Sequence, residues 1–142
     1  MLIAAILRTK GPDVVRVPPD TTVALLLTEL ARHNIGAAVV ADGDRLLGIA
    51  SERDVVRGLE REGAGLLAAP VSSIMTADVV TCTPRDSVEE VGETMTRRRF
   101  RHVPVVEDGR LAGIVSIGDV VKSRVRGLEY DRAQLEAYIH GG

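Results

Sequence analysis

The chain has 142 residues, 45% hydrophobic and 27% charged, which suits one compact domain or two small units sharing a core and excludes a disordered or fibrous protein. A formal net charge of −2 gives no global attraction to nucleic acid or to an anionic membrane. Only 2% of residues are aromatic (Phe100, Tyr130 and Tyr138), so the core must be aliphatic, and its many valines favour strands.

Cys82 is the only cysteine, which excludes an internal disulfide and suits a reducing, cytoplasmic setting. The apolar run Met1–Leu7 lacks a preceding basic region and is too short to span a bilayer, so it reads as a core-packing segment of a soluble protein. A shift of 65 positions then aligns Val14–Arg57 with Val79–Lys122 without a gap, and 14 of the 44 aligned pairs are identical. Among them are Pro19/Pro84, Val23/Val88, Val40/Val105, Gly48/Gly113, Ser51/Ser116 and Asp54/Asp119. The chain is a tandem duplication.

Both copies predict the same elements in the same order. A short apolar piece, Val14–Val17 or Val79–Cys82, ends at proline. A helix follows. Thr22 caps the first, with Val23, Leu26, Leu27 and Leu30 as its apolar stripe. Ser87 and Glu90 have capping-box spacing in the second, whose stripe is Val88, Val91 and Met95. Two strands come next, Ala37–Val40 with Leu46–Ala50 and Val103–Val106 with Leu111–Val115, joined at Asp42-Gly43-Asp44 and Asp108-Gly109. A last helix opens at Ser51 or Ser116.

The predicted fold is therefore α/β (α+β), with two β-α-β-β-α repeats. A small sheet with helices on one face cannot bury both faces alone, so the repeats are expected to pack sheet to sheet as one module. The expected boundaries are residues 10–60 for repeat 1, 61–73 for a linker, 74–125 for repeat 2, and 126–142 for an extra C-terminal amphipathic helix and tail.

Each repeat closes on Gly-Ile-x-Ser-x-x-Asp, at Gly48–Asp54 and Gly113–Asp119. A tandem β-α-β-β-α chain with this ending resembles a cystathionine-β-synthase-type (CBS) domain pair, or Bateman module. The strings Ser51-Glu52-Arg53-Asp54, Ile74-Met75-Thr76, Arg101-His102-Val103-Pro104-Val105 and Ser116-Ile117-Gly118-Asp119 resemble the small stand-alone bacterial pairs. The resemblance implies a disc-shaped homodimer with adenine nucleotides in clefts between repeats. AMP, ADP or ATP is the expected ligand, with NAD and S-adenosylmethionine as further candidates. It also implies a non-catalytic sensor acting on a separate, unknown partner protein.

Two roles are open to Ser116 and Asp119. As a helix cap they satisfy free backbone amides, an effect of roughly 1 kcal/mol. As a ligand site, Asp119 accepts hydrogen bonds from ribose hydroxyls while Ser116 and the first helical amides meet phosphate. Arg101 and His102 lie where the family often places basic groups facing phosphate; Arg97, Arg98 and Arg99 read as a solvated helix C-terminus. The equivalents of Arg101 and His102 in repeat 1 are Gly36 and Ala37. Unequal sites are expected, the stronger using Asp119 with Arg101 and His102. The other is left with Ser51 and Asp54, joined by Arg53 or the distant Lys10.

Ser116, His102 and Asp119 supply the residue types of a catalytic triad, but no nucleophile-elbow motif accompanies them, so no enzyme activity is expected. His33, His102 and His140 have no ligand spacing and predict no metal site. The alternatives are a ligand-free dimerisation scaffold with degenerate clefts and nucleic-acid binding through Arg97–His102. Scarce aromatics and the overall charge weigh against nucleic acid.

Overall fold

The computed structural model describes residues 1–11 and 13–141. Helix α1 (Ile3–Lys10) is followed by β1 (Arg16–Val17), α2 (Val23–His33), β2 (Ala37–Asp42), β3 (Arg45–Ser51) and α3 (Glu52–Glu62). Two 3-10 segments, Gly63–Ala68 and Val71–Ser73, lead into α4 (Val88–Arg98), β4 (His102–Glu107), β5 (Arg110–Ser116) and α5 (Ile117–His140). In the first sheet β1 runs parallel to β2 and β2 antiparallel to β3; in the second β4 pairs with β5. The piece expected as a strand at Val79–Cys82 is reduced to one parallel bridge, Cys82 to Val105.

Local chemistry explains the elements. The side chain of Thr22 accepts from the Leu25 amide at 3.2 Å, and Val23, Leu26 and Leu30 of the predicted stripe are buried. Half of the box expected at Ser87 forms: its hydroxyl accepts from the Glu90 amide but donates to Glu89 at 3.2 Å. Complete boxes occur instead at Ser51/Asp54 and Ser116/Asp119. The hairpin turns take left-handed φ at Gly43 (60°), Asp108 (51°) and Gly109 (77°), the backbone that tight two-residue loops require.

The sheets meet face to face. Ala37, Val39, Ala41, Ile49 and Leu111 form a buried cluster with Val14, Leu46, Val79 and Ile114 packed on it, and β2 is buried on both faces. Each repeat also has its own outer core, completed by exchange. Ile3 and Ile6 of α1 lie in the core of repeat 2, with Val88, Met95 and Val115. Leu66 and Val71, expected to be linker, lie in the core of repeat 1 with Val23, Leu26 and Ala50. The segment leading into each repeat thus packs on the other.

This exchange explains the glycine in Gly-Ile-x-Ser. A Cβ at Gly48 would stand 2.6 Å from the Thr76 carbonyl oxygen, and one at Gly113 would stand 2.6 Å from Cδ2 of Leu7. Thr76 can then exchange backbone bonds with Ile49, at 3.0 and 2.8 Å. The expected C-terminal helix is present, but no break separates it from the repeat: α5 runs unbroken for 24 residues through Gly127.

Candidate functional site

The strand-to-helix corner at Ser51 positions the first group of candidate residues. Extended backbone at Ser51 turns β3 into α3, and the Asp54 carboxylate folds back to accept from the Ser51 amide (2.9 Å) and hydroxyl (3.0 Å). Both bonds fall on Oδ2. Asp119 likewise accepts from the Ser116 amide at 2.9 Å through Oδ2. Among the described residues neither Oδ1 receives a hydrogen bond, so capping uses one oxygen and leaves the other available.

A cleft of about 430 Å³ opens beside Ser51 and Asp54, within the size range of small-molecule sites. Arg101 and His102 line it together with Ser51, Arg53 and Asp54. Its lining includes neither Ser116 nor Asp119. The basic pair of repeat 2 thus shares a cleft with the aspartate of repeat 1, while His102 also pairs across the hairpin with Ser116. The reason is the face-to-face stacking, which brings the start of β4 opposite the β3–α3 corner.

Lys10 departs from expectation in the opposite sense. Its Nζ lies 2.7 Å from Asp119 Oδ2 and 2.9 Å from the Ile114 carbonyl oxygen. It therefore belongs with Asp119, not Asp54. In repeat 1 the equivalent carbonyl, that of Ile49, is taken by the Thr76 amide. Burial alone would raise the Asp119 carboxyl, but hydrogen bonds from Lys10 and the Ser116 amide outweigh it and hold the carboxyl below its ordinary value. His102, paired across the hairpin with Ser116, stands between the two corners. Burial and the neighbouring Lys10 charge push its pKa below the ordinary imidazole value, against the opposing pull of Asp119.

Other lining residues escaped the sequence reading. Arg98 and Arg99, read above as a solvated helix end, line the cleft, as does Arg57; Arg97 does not. Arg99 closes α4 in left-handed backbone (φ 58°), which turns the chain toward the cleft. Phe100, Ile49, Val79 and Val80 provide an apolar wall. The Arg98 guanidinium lies 5.9 Å from the Phe100 ring centroid, within cation–π range. Arg53, Arg57, Arg98, Arg99 and Arg101 face three acids of the lining, Glu52, Asp54 and Asp78, yet none forms an ion pair among the described residues. That arrangement can hold an anion with several oxygens. The basic run and the signal that chain reversal follows α4 were both visible; what they would face was not.

Among the described residues no group of His, Cys, Asp and Glu is arranged to hold a metal ion, and no helix is long and apolar enough to cross a membrane.

Comparison with known proteins agrees with this architecture. The CBS domain profile matches twice, over residues 5–61 and 71–126. The crystal structure of the CBS-domain containing protein ATU1752 from Agrobacterium tumefaciens is 47% identical and superposes with a TM-score of 0.84, covering 87% of this chain and 99% of that one. The CBS domain protein PAE2072 from Pyrobaculum aerophilum, solved in complex with AMP, is 32% identical with a TM-score of 0.75, over 84% of this chain and 89% of that one. The mitochondrial CBS domain-containing protein CBSX3 of Arabidopsis thaliana is 38% identical over 87% of this chain, which spans 62% of that protein's length. The chain belongs to the CBS domain family and carries two CBS domains in tandem.

Proposed function

We propose that this CBS pair is a non-catalytic regulatory module that binds an adenine nucleotide in the cleft between its repeats. The observation that carries the reading is the union, in one cleft, of a half-used Asp54 carboxylate, an apolar wall and five arginines without carboxylate partners among the described residues. Asp54 receives a ribose hydroxyl on Oδ1, and the base lies against Phe100, Ile49 and Val80. The phosphates face Arg101, His102 and the Arg53 end of α3. The AMP complex of the related PAE2072 protein supports the ligand class. Five arginines against three acids favour a nucleotide with more than one phosphate over a nucleoside, with ATP or ADP ahead of AMP and NAD a further candidate. Ser116 and Asp119 form a second corner, which Lys10 occupies in place of a ligand.

The match of both repeats to the CBS domain supports a regulatory rather than a catalytic role. The module works as a cytoplasmic homodimer on a separate partner protein, through a ligand whose affinity differs between two of its states. Thermal unfolding against AMP, ADP, ATP, NAD, S-adenosylmethionine and adenosine tests the ligand class. A ligand at 100 times its Kd adds roughly 2.7 kcal/mol, a shift of several degrees. Equal and null responses to all six would leave the ligand-free scaffold as the account.

A further inference from the structure

Among the described residues the far half of α5 has no partner in its own chain. Beyond the half-buried Gly127, every described residue from Leu128 to His140 is exposed, and its one side-chain bond is internal, Arg132 to Glu136 at 3.1 Å. A free helix of this length is marginal in water, and a glycine at its root weakens it further.

The sequence of that face carries a specific pattern. From Val121 the steps to Val125, Leu128, Arg132, Leu135 and Ile139 alternate four and three, a heptad seam. Apart from Arg132 the seam is aliphatic, and these five residues are between 47 and 65% exposed. Val125 and Ile139 occupy the first core position of the heptad and Leu128 and Leu135 the fourth, the arrangement that favours two parallel strands. Arg132 is the single polar core residue, and Glu136 of its own helix balances its charge. In a parallel pair Arg124 of each copy faces Glu129 of the other. Arg124 is available for this, since its present contact with Glu89 is a loose 3.8 Å. Asp131 and Glu136 meet as like charges across the pair, with the two Arg132 side chains lying between them.

We infer that α5, from Val121 to Ile139, zips in parallel and in register with the same helix of a second copy, along Val121, Val125, Leu128, Arg132, Leu135 and Ile139. The inference rests on the homodimer reading above and adds the surface, the orientation and the register. A seam from Val121 to Ile139 runs for about 27 Å at 1.5 Å per residue.

The test places single cysteines at Leu128→Cys and, separately, at Arg132→Cys in the full chain, with light scattering for mass and mild oxidation followed by a non-reducing gel. Both sites are exposed, so the fold is retained, and the buried Cys82 takes no part. A parallel seam brings identical positions together, and each single variant is expected to give a covalent dimer. Dimeric mass with no cross-link in either single variant would overturn the seam and leave the homodimer standing. Cross-linking confined to a third variant that carries both cysteines would mean that position 128 faces position 132, an antiparallel pair, and would also overturn it. Monomeric mass would remove both the seam and the homodimer.

Discussion

Lys10 and Asp119, 109 residues apart, form a 2.7 Å ion pair at the β5–α5 corner, while among the described residues the equivalent Asp54 at the β3–α3 corner has no cation on it. One duplicated motif thus presents two different carboxylates. Replacing Lys10 should make them alike. Lys10→Ala is expected to raise nucleotide stoichiometry from one toward two per chain in calorimetric titration. Its cost in stability should be small, about 0–1 kcal/mol, because the pair is partly solvated. Unchanged stoichiometry would mean that Lys10 does not restrict the second corner.

Arg101 is expected to act on phosphate alone. Arg101→Glu should weaken ATP by about tenfold or more while changing adenosine little, since a charge-assisted bond contributes about 1.5–3 kcal/mol. Equal losses for both ligands in parallel titrations would remove Arg101 from the phosphate site.

The two motif glycines should differ in cost. A methyl at Gly48 meets the Thr76 backbone oxygen, which cannot move without breaking the Ile49–Thr76 bridge; a methyl at Gly113 meets only the end of the Leu7 side chain. Gly48→Ala should therefore destabilise by roughly 2 kcal/mol or more, and Gly113→Ala by clearly less, in denaturant unfolding. The reverse order would contradict the packing described for the exchanged segments.

His102 and Asp119 set a pH dependence with a definite sign. The folded state lowers the His102 pKa, so as pH falls below 6.5 the unfolded chain takes up the proton first and stability declines. His102→Gln should flatten that decline. Asp119 is also lowered, so its contribution is full above its ordinary 3.8 and disappears as pH falls through its folded value. Lys10→Ala should weaken this second decline. Unfolding free energies of the three proteins between pH 3 and pH 8 separate the two effects.

Features fixed by neighbours along the chain were legible in the sequence. The duplication, the hairpin turns at Gly43 and Asp108-Gly109, and the caps at Thr22, Ser51 and Ser116 all follow from local spacing. Features that depend on how the repeats cross were not. The helical start of the chain completes repeat 2, and Leu66 and Val71 complete repeat 1, because each sheet needs cover that its own repeat does not supply. The same crossing places Arg101 and His102 in one cleft with Asp54 and brings Lys10 onto Asp119. Arg98 and Arg99 looked like an ordinary basic helix end because their spacing is that of one; only the left-handed turn at Arg99 and the opposing repeat make them cleft residues.

The most direct test of nucleotide recognition between the repeats is equilibrium binding of ATP to the intact chain and to Asp54→Ala, with unfolding measured alongside. The account predicts saturable binding that falls by at least about tenfold in Asp54→Ala, with a loss of helix-cap stability of roughly 1 kcal/mol and no unfolding. Binding that survives unchanged in Asp54→Ala would contradict it, and would leave Asp54 with only its capping role.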